Sequence, residues 1–224
     1  MQSLIPFNQI MLQLYRERGG DPAFWAEPFN AISNASFLIA AALGLDFATR
    51  RRSLDPATLA LIVLAATIGC GSFLFHTVPS IPTMWLDIIP ITLFQILFLW
   101  LISRKLLSIP GWLAALIVMA VVGGSYALMP FKSPLNGSLF YIPSWVAMLV
   151  FSLIWAWTSH VERGLLALSV LFFTLAIAAR SMDRDVTWSI GTHFIWHLLN
   201  GIVVYTALRS WVLASSRPDS ELNV

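Results

Sequence analysis

The stretch GTHFIWHLLN, residues 191–200, decides the fold because it puts polar side chains at the start of the last long apolar segment. His193 and His197 are four residues apart, so in a helix both imidazoles leave the same face one turn apart and can converge on one metal ion. Asn200 shares that face. Residues 186–208 contain no Asp, Glu, Lys or Arg over 23 residues, which is long enough to cross a bilayer. The pattern predicts that both histidines lie inside a membrane helix.

The histidine pair alone leaves several interpretations open. Neutral imidazoles can simply hydrogen-bond across a helix bundle. Histidines on spanning helices also ligate haem in membrane cytochromes. A metal site needs at least one further ligand from elsewhere in the chain.

The composition is that of an integral membrane protein. The chain of 224 residues is 58% hydrophobic and 11% charged, with a mean hydropathy of +0.79; soluble domains carry about 25% charged residues. We predict an all-α membrane bundle of seven transmembrane helices with a short N-terminal interfacial helix. The predicted spans fall at 28–45, 57–75, 88–103, 106–131, 133–159, 164–179 and 186–208.

The chain divides around this bundle into three parts. Residues 1–27 form the N-terminal interfacial segment, residues 28–213 the seven-helix domain and residues 214–224 a polar C-terminal tail. The sequence predicts no cleavable signal peptide, because its start has neither a basic region nor a long apolar run. A net charge of +2 gives no reason to expect a nucleic-acid partner. Cys70 is the only cysteine, so no disulfide can form within one chain.

A second group of polar residues surrounds the turn between the second and third predicted spans. Ser72 and His76 are four residues apart and share a helix face near the end of the second span. Two prolines then turn the chain, and Asp87 follows about one helical turn into the third span. The sequence therefore predicts that Ser72, His76 and Asp87 lie near one another.

Counting spans places these groups and the histidine pair on one side of the membrane. The loops after the first, third and fifth spans, with the tail, hold eight basic residues, against five on the side of the histidines. Because cytoplasmic loops carry the excess of Lys and Arg, we expect the N-terminus and the site on the non-cytoplasmic side and the C-terminus in the cytoplasm.

Three histidines from two helices favour a catalytic metal centre. A tetrahedral zinc ion held by three protein ligands keeps one position open for water or substrate. Haem ligation explains the pattern less well than a catalytic metal centre, because it requires neither a third histidine nor a nearby serine and carboxylate. Ionisable groups inside a membrane are functional by default, which weighs against packing histidines.

At these residues the sequence resembles the alkaline ceramidase family, within a superfamily of seven-helix membrane hydrolases that includes the adiponectin receptors and the lipid remodelling enzymes of glycolipid anchors. The resemblance covers most of the chain. It is carried by AEPFNAISN at residues 26–34, by GS-x3-H at residues 71–76 with Asp87 eleven residues further on, and by GTH-x3-H at residues 191–197.

The resemblance implies a zinc-dependent intramembrane hydrolase. By match, His76, His193 and His197 bind zinc, while Ser72 and Asp87 assist the water that the metal activates. The implied reaction cleaves the amide bond of ceramide or another N-acyl lipid to a free fatty acid and an amine. Two alternatives stay open: a zinc lipid esterase of the same superfamily, and a receptor-like membrane protein with a vestigial site.

The resemblance also implies a calcium site, because eukaryotic members of the family bind calcium through an acidic N-terminal stretch that includes the match to Glu27. Glu17 and Asp21 are the further candidate ligands here. This stretch departs from the family pattern, since arginines flank Glu17 on both sides and oppose a bound cation. Ile88, rather than a second acidic residue, follows Asp87.

Overall fold

A computed structural model of the chain describes residues 7–131, 134–159 and 161–216. In these ranges the secondary structure is helical. The helices are α1 (Phe7–Leu12), α2 (Pro28–Ser33), α3 (Ala35–Arg50), α4 (Pro56–Thr77), α5 (Ile81–Leu107), α6 (Gly111–Leu128), α7 (Ile142–Thr158), α8 (Leu165–Met182) and α9 (His193–Ser215), with a 3₁₀ segment (Pro134–Tyr141) before α7.

The described part of the chain has seven segments long and apolar enough to cross a membrane, which confirms the predicted all-α bundle and its multi-pass membrane setting. They are Pro28–Arg50, Pro56–Thr77, Ile81–Leu107, Gly111–Leu128, Leu135–Thr158, Leu165–Met182 and His193–Ser215.

The starts of the third and the last span were predicted wrongly, for a physical reason. The third span begins at Ile81 rather than at 88, because Ser80 caps the helix by accepting a hydrogen bond from the Thr83 amide, eight residues before the uncharged run starts. Asp87 therefore lies in the second turn of α5. The last span begins at His193 rather than at 186 and runs on past Arg209 to Ser215. Arg209 is tolerated there because it pairs with Glu162 near the end of the helix.

The first span consists of two helices in direct succession. α2 ends at Ser33 and α3 starts at Ala35, and Asn34 between them keeps helical backbone angles, with φ −64° and ψ −16°. The predicted N-terminal interfacial helix is represented by the short α1, and the chain after it folds back onto the bundle, since Arg18 is buried. Residues 1–6 and 217–224 lie outside the described ranges, so the division into three parts stays a prediction.

The helices pack around one main core. α4 lies against α3 and α5, and α9 lies against α3 and α8. The core includes fully buried Leu61 of α4, Ile102 of α5 and Leu208 of α9. On the outside, large apolar side chains remain exposed, among them Leu153 and Trp157 of α7. An apolar outer surface of this kind is typical of helices that face lipid.

The odd number of spans gives a topology that can be tested. The start of α2, the end of α4 and the starts of α5 and α9 lie on one side of the bundle, and Arg50–Arg52 lies on the other. We expect reporter fusions after Arg52 and at Val224 to read cytoplasmic, because basic loops are retained there. A fusion after Lys132 should read non-cytoplasmic. Matching signals at all three positions would contradict this orientation.

Candidate metal centre

Three histidines meet where α4 ends and α9 begins. His76 lies in the last turn of α4, and His193 and His197 occupy the first two turns of α9. One ring nitrogen of each lies within 4.8 Å of those of the other two. The three side chains are 1%, 3% and 3% exposed. In the described part of the chain this is the one group of three or more His, Cys, Asp or Glu placed to hold a metal ion.

Glu27 orients the ring of His76. The Glu27 Oε2 atom lies 2.6 Å from His76 Nδ1 and also accepts a hydrogen bond from Asn30 Nδ2 at 2.9 Å. The other carboxylate oxygen pairs with Arg18. Burial alone would raise the pKa of Glu27, but these hydrogen bonds and charges outweigh it and hold that pKa below its ordinary value. An ionised carboxylate only accepts, so His76 donates from Nδ1 and turns the Nε2 lone pair towards the other histidines.

Ser33 orients the ring of His197 in the same way. Its hydroxyl donates to the Asn30 carbonyl at 2.9 Å, which uses its only proton. The contact of 2.8 Å between Ser33 Oγ and His197 Nδ1 is therefore a bond that the imidazole donates. His197 is left, like His76, with its Nε2 lone pair free for a ligand role.

The histidine cluster has unfilled hydrogen-bonding capacity that a metal ion would fill. His76 Nε2 and His193 Nδ1 are buried nitrogen atoms without a hydrogen-bond partner. A buried polar atom without a partner costs about 1–3 kcal/mol. Two such atoms among three converging imidazoles fit a borderline-soft cation that prefers nitrogen ligands, as zinc does.

We expect Ser33→Ala to weaken metal binding without removing a ligand. The variant leaves Nδ1 of His197 without its acceptor, and loss of such support typically costs about 10- to 100-fold in metal affinity. Competition against a chelator of known affinity measures the change. Ser36→Ala is the matched control, because Ser36 donates to the His197 backbone carbonyl and leaves the ring alone. Equal affinities in the two variants would contradict the role of Ser33.

Asp183 fixes the start of α9. Its Oδ1 atom accepts from the amides of Thr192 and His193 at 2.7 and 2.8 Å, and its Oδ2 atom accepts from the Arg16 amide at 3.0 Å. A carboxylate at this position caps the free amides of the helix. Gly191 is required beside it: its φ is +62°, and a Cβ would lie 2.4 Å from Asp183 Oδ1. This cap sets where His193 stands.

Ser72 and Asp87 meet because α4 and α5 approach closely. A Cβ on Gly71 would lie 2.0 Å from the Leu86 carbonyl oxygen, so no larger residue fits at this crossing. The approach brings the Ser72 hydroxyl and the Asp87 carboxylate to the wall of the same cavity, near one another. Asp87 Oδ1 is buried and has no partner. The predicted neighbours of His76 are thus brought together, with one carboxylate oxygen left free.

A cavity of about 200 Å³ joins these groups. Ser72, Asp87, His193 and His197 line it together with further side chains of their own helices and of four other segments. The remaining lining residues are Leu14, Tyr15, Phe37, Phe75, Met84, Ile88, Ile91, Tyr141, Arg180 and Trp196. A chamber with a few convergent polar groups in an apolar wall is the usual form of a small-molecule site.

Tyr15 covers the cluster from the N-terminal segment. Its ring stacks on His193 with centroids 4.1 Å apart and lies 4.8 Å from the ring of His76. Burial raises the pKa of Tyr15, so its hydroxyl keeps its proton at neutral pH. The helical spacing of apolar residues before Gly19-Gly20 does not predict this role of Tyr15.

Arg180 brings a positive charge to the cavity wall. Its Nη1 donates to the Asn136 carbonyl at 2.9 Å, and its guanidinium lies 5.4 Å from the centre of the Tyr141 ring. In the sequence, Arg180 is one of the five basic residues counted on the side of the histidines, at the end of the sixth span. From sequence alone, an arginine at the edge of a span cannot be assigned to the loop or to the interior of the bundle. The position of the helix end decides between the two.

The remaining predicted residues have structural partners. Asn200 donates to the Trp196 carbonyl of its own helix at 2.8 Å. Glu17 accepts from the amides of Phe29 and Asn30 at 2.7 and 2.8 Å, one on each oxygen, and caps the first span. Asp21 Oδ1 accepts from the Ala23 amide at 2.8 Å.

Glu17, Asp21 and Glu27 do not fit a shared calcium ion. Both oxygens of Glu17 and both of Glu27 already accept hydrogen bonds from the chain, and the three carboxylates form no common ligand group in the described ranges. Calcium takes six to eight oxygen ligands, and one carboxylate supplies at most two of them.

Comparison with known protein families gives a match that covers most of the chain. The family model described as Ceramidase matches residues 22–220, which includes the histidine cluster, Ser72 and Asp87. A search of the curated proteins finds no match.

Proposed function

Because the chain belongs to the ceramidase family, we propose that it is a zinc-dependent hydrolase, embedded in the membrane, that cleaves the amide bond of ceramide or a related N-acyl lipid. The products are a free fatty acid and an amine, a sphingoid base in the case of ceramide. The family match supports a ceramide-hydrolysing function, a lipid substrate and a membrane setting. We propose in addition the identity of the metal, the cleavage of an amide bond and the roles of the individual residues.

One observation carries it. Buried nitrogen atoms of His76 and His193 have no partner, and a buried carboxylate oxygen of Asp87 has none either. His193 and Asp87 line the same cavity. Most buried polar atoms in proteins are satisfied. Asn30, Asn34, Ser103 and Ser125 each have an unpartnered atom too, but among the described residues the three histidines are the ones that form a metal-ligand group. A metal-binding group beside a free carboxylate, in a cavity within a membrane protein, is the arrangement that metal-assisted hydrolysis requires.

His76, His193 and His197 would hold the zinc ion. When bound, zinc polarises the substrate carbonyl and lowers the pKa of water from about 15.7 towards 7, which supplies a nucleophile at neutral pH. The hydrogen bonds that His76 donates to Glu27 and His197 donates to Ser33 keep two of these rings from rotating. Their function is to present fixed lone pairs.

Asp87 would carry the proton. Its free Oδ1 accepts the proton of the attacking water as the carbon–oxygen bond forms and delivers it to the amide nitrogen as the carbon–nitrogen bond breaks. Ser72 lies near the Asp87 carboxylate and would donate its hydroxyl proton to it. In this role Ser72 would aim Asp87, and its proton would not serve the carbonyl oxygen of the substrate.

The cavity wall suits a lipid with one polar end. Phe37, Phe75, Ile88 and Ile91 provide an apolar surface for the acyl chain. Tyr15 and Arg180 are hydrogen-bond donors on the wall outside the centre itself, together with Tyr141 and Trp196, and both keep their protons at neutral pH. They would bind the hydroxyl or carbonyl oxygens near the scissile amide.

Hydrolysis assays on the purified, zinc-loaded protein test this function. We expect labelled ceramide to be cleaved and the activity to fall to background with a zinc chelator, since the metal supplies the nucleophile. An ester lipid of the same chain length should be a poorer substrate. Preferential cleavage of the ester would make the protein a lipid esterase. Zinc retention without cleavage of either lipid would favour a receptor-like protein.

A further inference from the structure

We propose that the guanidinium group of Arg18 takes the place of the calcium ion that the family resemblance implies. The chain would then hold its N-terminal segment on the metal centre with a cation of its own. The proposal concerns the position of this segment and does not rest on the proposed reaction.

Arg18 lies at the meeting point of four oxygen atoms. Its Nε pairs with Glu27 Oε1. Its Nη1 donates to the carbonyls of Asp21 and Ala23 at 2.9 and 3.1 Å, and its Nη2 donates to the carbonyl of His76 at 2.7 Å. The residue is 2% exposed. All three nitrogens of the guanidinium are used, and each bonds to oxygen.

This group of oxygens is chemically a cation site. Calcium is bound in proteins by carboxylate oxygens and backbone carbonyls, and Arg18 is surrounded by one of the former and three of the latter. A guanidinium is always charged and presents five N–H donors in a fixed plane. It therefore satisfies several oxygens at once, as a calcium ion does, without an exchange equilibrium.

The charge balance leaves no room for a second cation. Glu27 is the one carboxylate that Arg18 contacts, and its other oxygen accepts from His76 and Asn30. The nearby Glu17 uses both oxygens as a helix cap. A divalent ion at Glu27 would lie within a few ångströms of a buried guanidinium, and like charges at that distance repel strongly in a low dielectric.

Arg18 connects two elements that are distant in sequence. Asp21, Ala23 and Glu27 belong to the loop before α2, and His76 belongs to the end of α4. The same loop segment carries Tyr15, which stacks on His193. Arg18 is therefore a positioning residue: it ties the loop that covers the centre to the helix that supplies one of its ligands.

The test compares calcium and magnesium on the purified, zinc-loaded protein. Equilibrium dialysis with radioactive calcium should find no stoichiometric binding to the wild-type chain, and its Tm should be the same in either ion. Arg18→Ala should lower the Tm by at least about 6 °C, because removing one partner leaves the Glu27 charge buried. That variant should regain stability in millimolar calcium and not in magnesium, a response that lost packing alone would not produce.

Arg16→Ala is the matched control. Arg16 is an exposed arginine in the same segment, and its contact with Asp183 is made by its backbone amide. Its Tm should match the wild type in both ions. One calcium per wild-type chain overturns the proposal, whatever the variants do. So does an Arg18→Ala protein that melts lower but ignores calcium, because the oxygens would then serve the guanidinium alone.

Discussion

Replacing His193 or His197 by alanine is expected to remove zinc from the purified protein, from one ion per chain to a small fraction of one. The remaining two imidazoles form an incomplete ligand set, and tetrahedral zinc sites use three or four protein ligands. Since losing mere support for a ligand costs about 10- to 100-fold in affinity, losing the ligand should cost more than about 100-fold. Hydrolysis should fall to background with the metal.

Elemental analysis after detergent purification measures this, with the melting temperature recorded beside it. His160→Ala is the control, because His160 is the one histidine of the sequence outside the cluster and comes between α7 and α8 in the chain, in neither of the two helices that carry the cluster. It should keep its zinc. A His197→Ala protein that holds a full complement of zinc, or a metal-free wild type that still hydrolyses lipid, would remove zinc from the mechanism.

Asp87→Asn is expected to keep zinc and the fold while lowering hydrolysis by at least about a hundredfold, within the range of 10² to 10⁴ that general acid-base catalysis contributes. Asparagine has the same shape as aspartate, and its amide oxygen can still accept the hydrogen bond from Ser72. It cannot take up and release a proton at neutral pH. The substitution therefore separates proton transfer from packing and from metal binding.

The measurements are the turnover rate, the zinc content and the Tm on the same preparation. Ser72→Ala is the companion variant, because it keeps the Asp87 carboxylate and removes only the group that aims it. It should lose less activity than Asp87→Asn. Near-normal turnover in Asp87→Asn would show that Asp87 does not carry the proton. Loss of zinc would make Asp87 a ligand or a support for one, and a different base would then be needed.

The spans and the pairing of two histidines on one helix face could be predicted because they depend on short spacings. His193 and His197 fix each other's direction by lying one turn apart, and an uncharged run fixes the approximate position of a membrane helix. Helix ends were harder. The start of α5 depends on the cap made by Ser80, and the start of α9 depends on Asp183. The capping acceptor of α9 lies nine residues before Thr192, beyond the reach of a local pattern.

The groups that support the ligands could not be predicted, because each acts across the fold. The sequence linked Glu27 with calcium, whereas the structure places it on Nδ1 of His76. Ser33 lies on the first span, whereas its partner His197 lies on the last one. From the sequence, Arg18 was expected to oppose a calcium ion. The structure shows its guanidinium bonded to the oxygen atoms themselves, among them those of Glu27 and of the His76 carbonyl. Each of these pairings needs the helix packing before it can be seen.

The metal ligands come from the second and the last membrane spans, which has a consequence for biosynthesis. A chain emerges from the ribosome with its N-terminal part first, so α4 is made and inserted while α9 does not yet exist. Until the last span enters the bilayer, the nascent protein has one of the three proposed ligands and would bind metal poorly. Because metal binding adds its free energy to folding, zinc held at this site would stabilise only the finished bundle. Every chain truncated before α9 lacks that stabilisation, so metal loading distinguishes complete molecules from incomplete ones in the membrane where they are made.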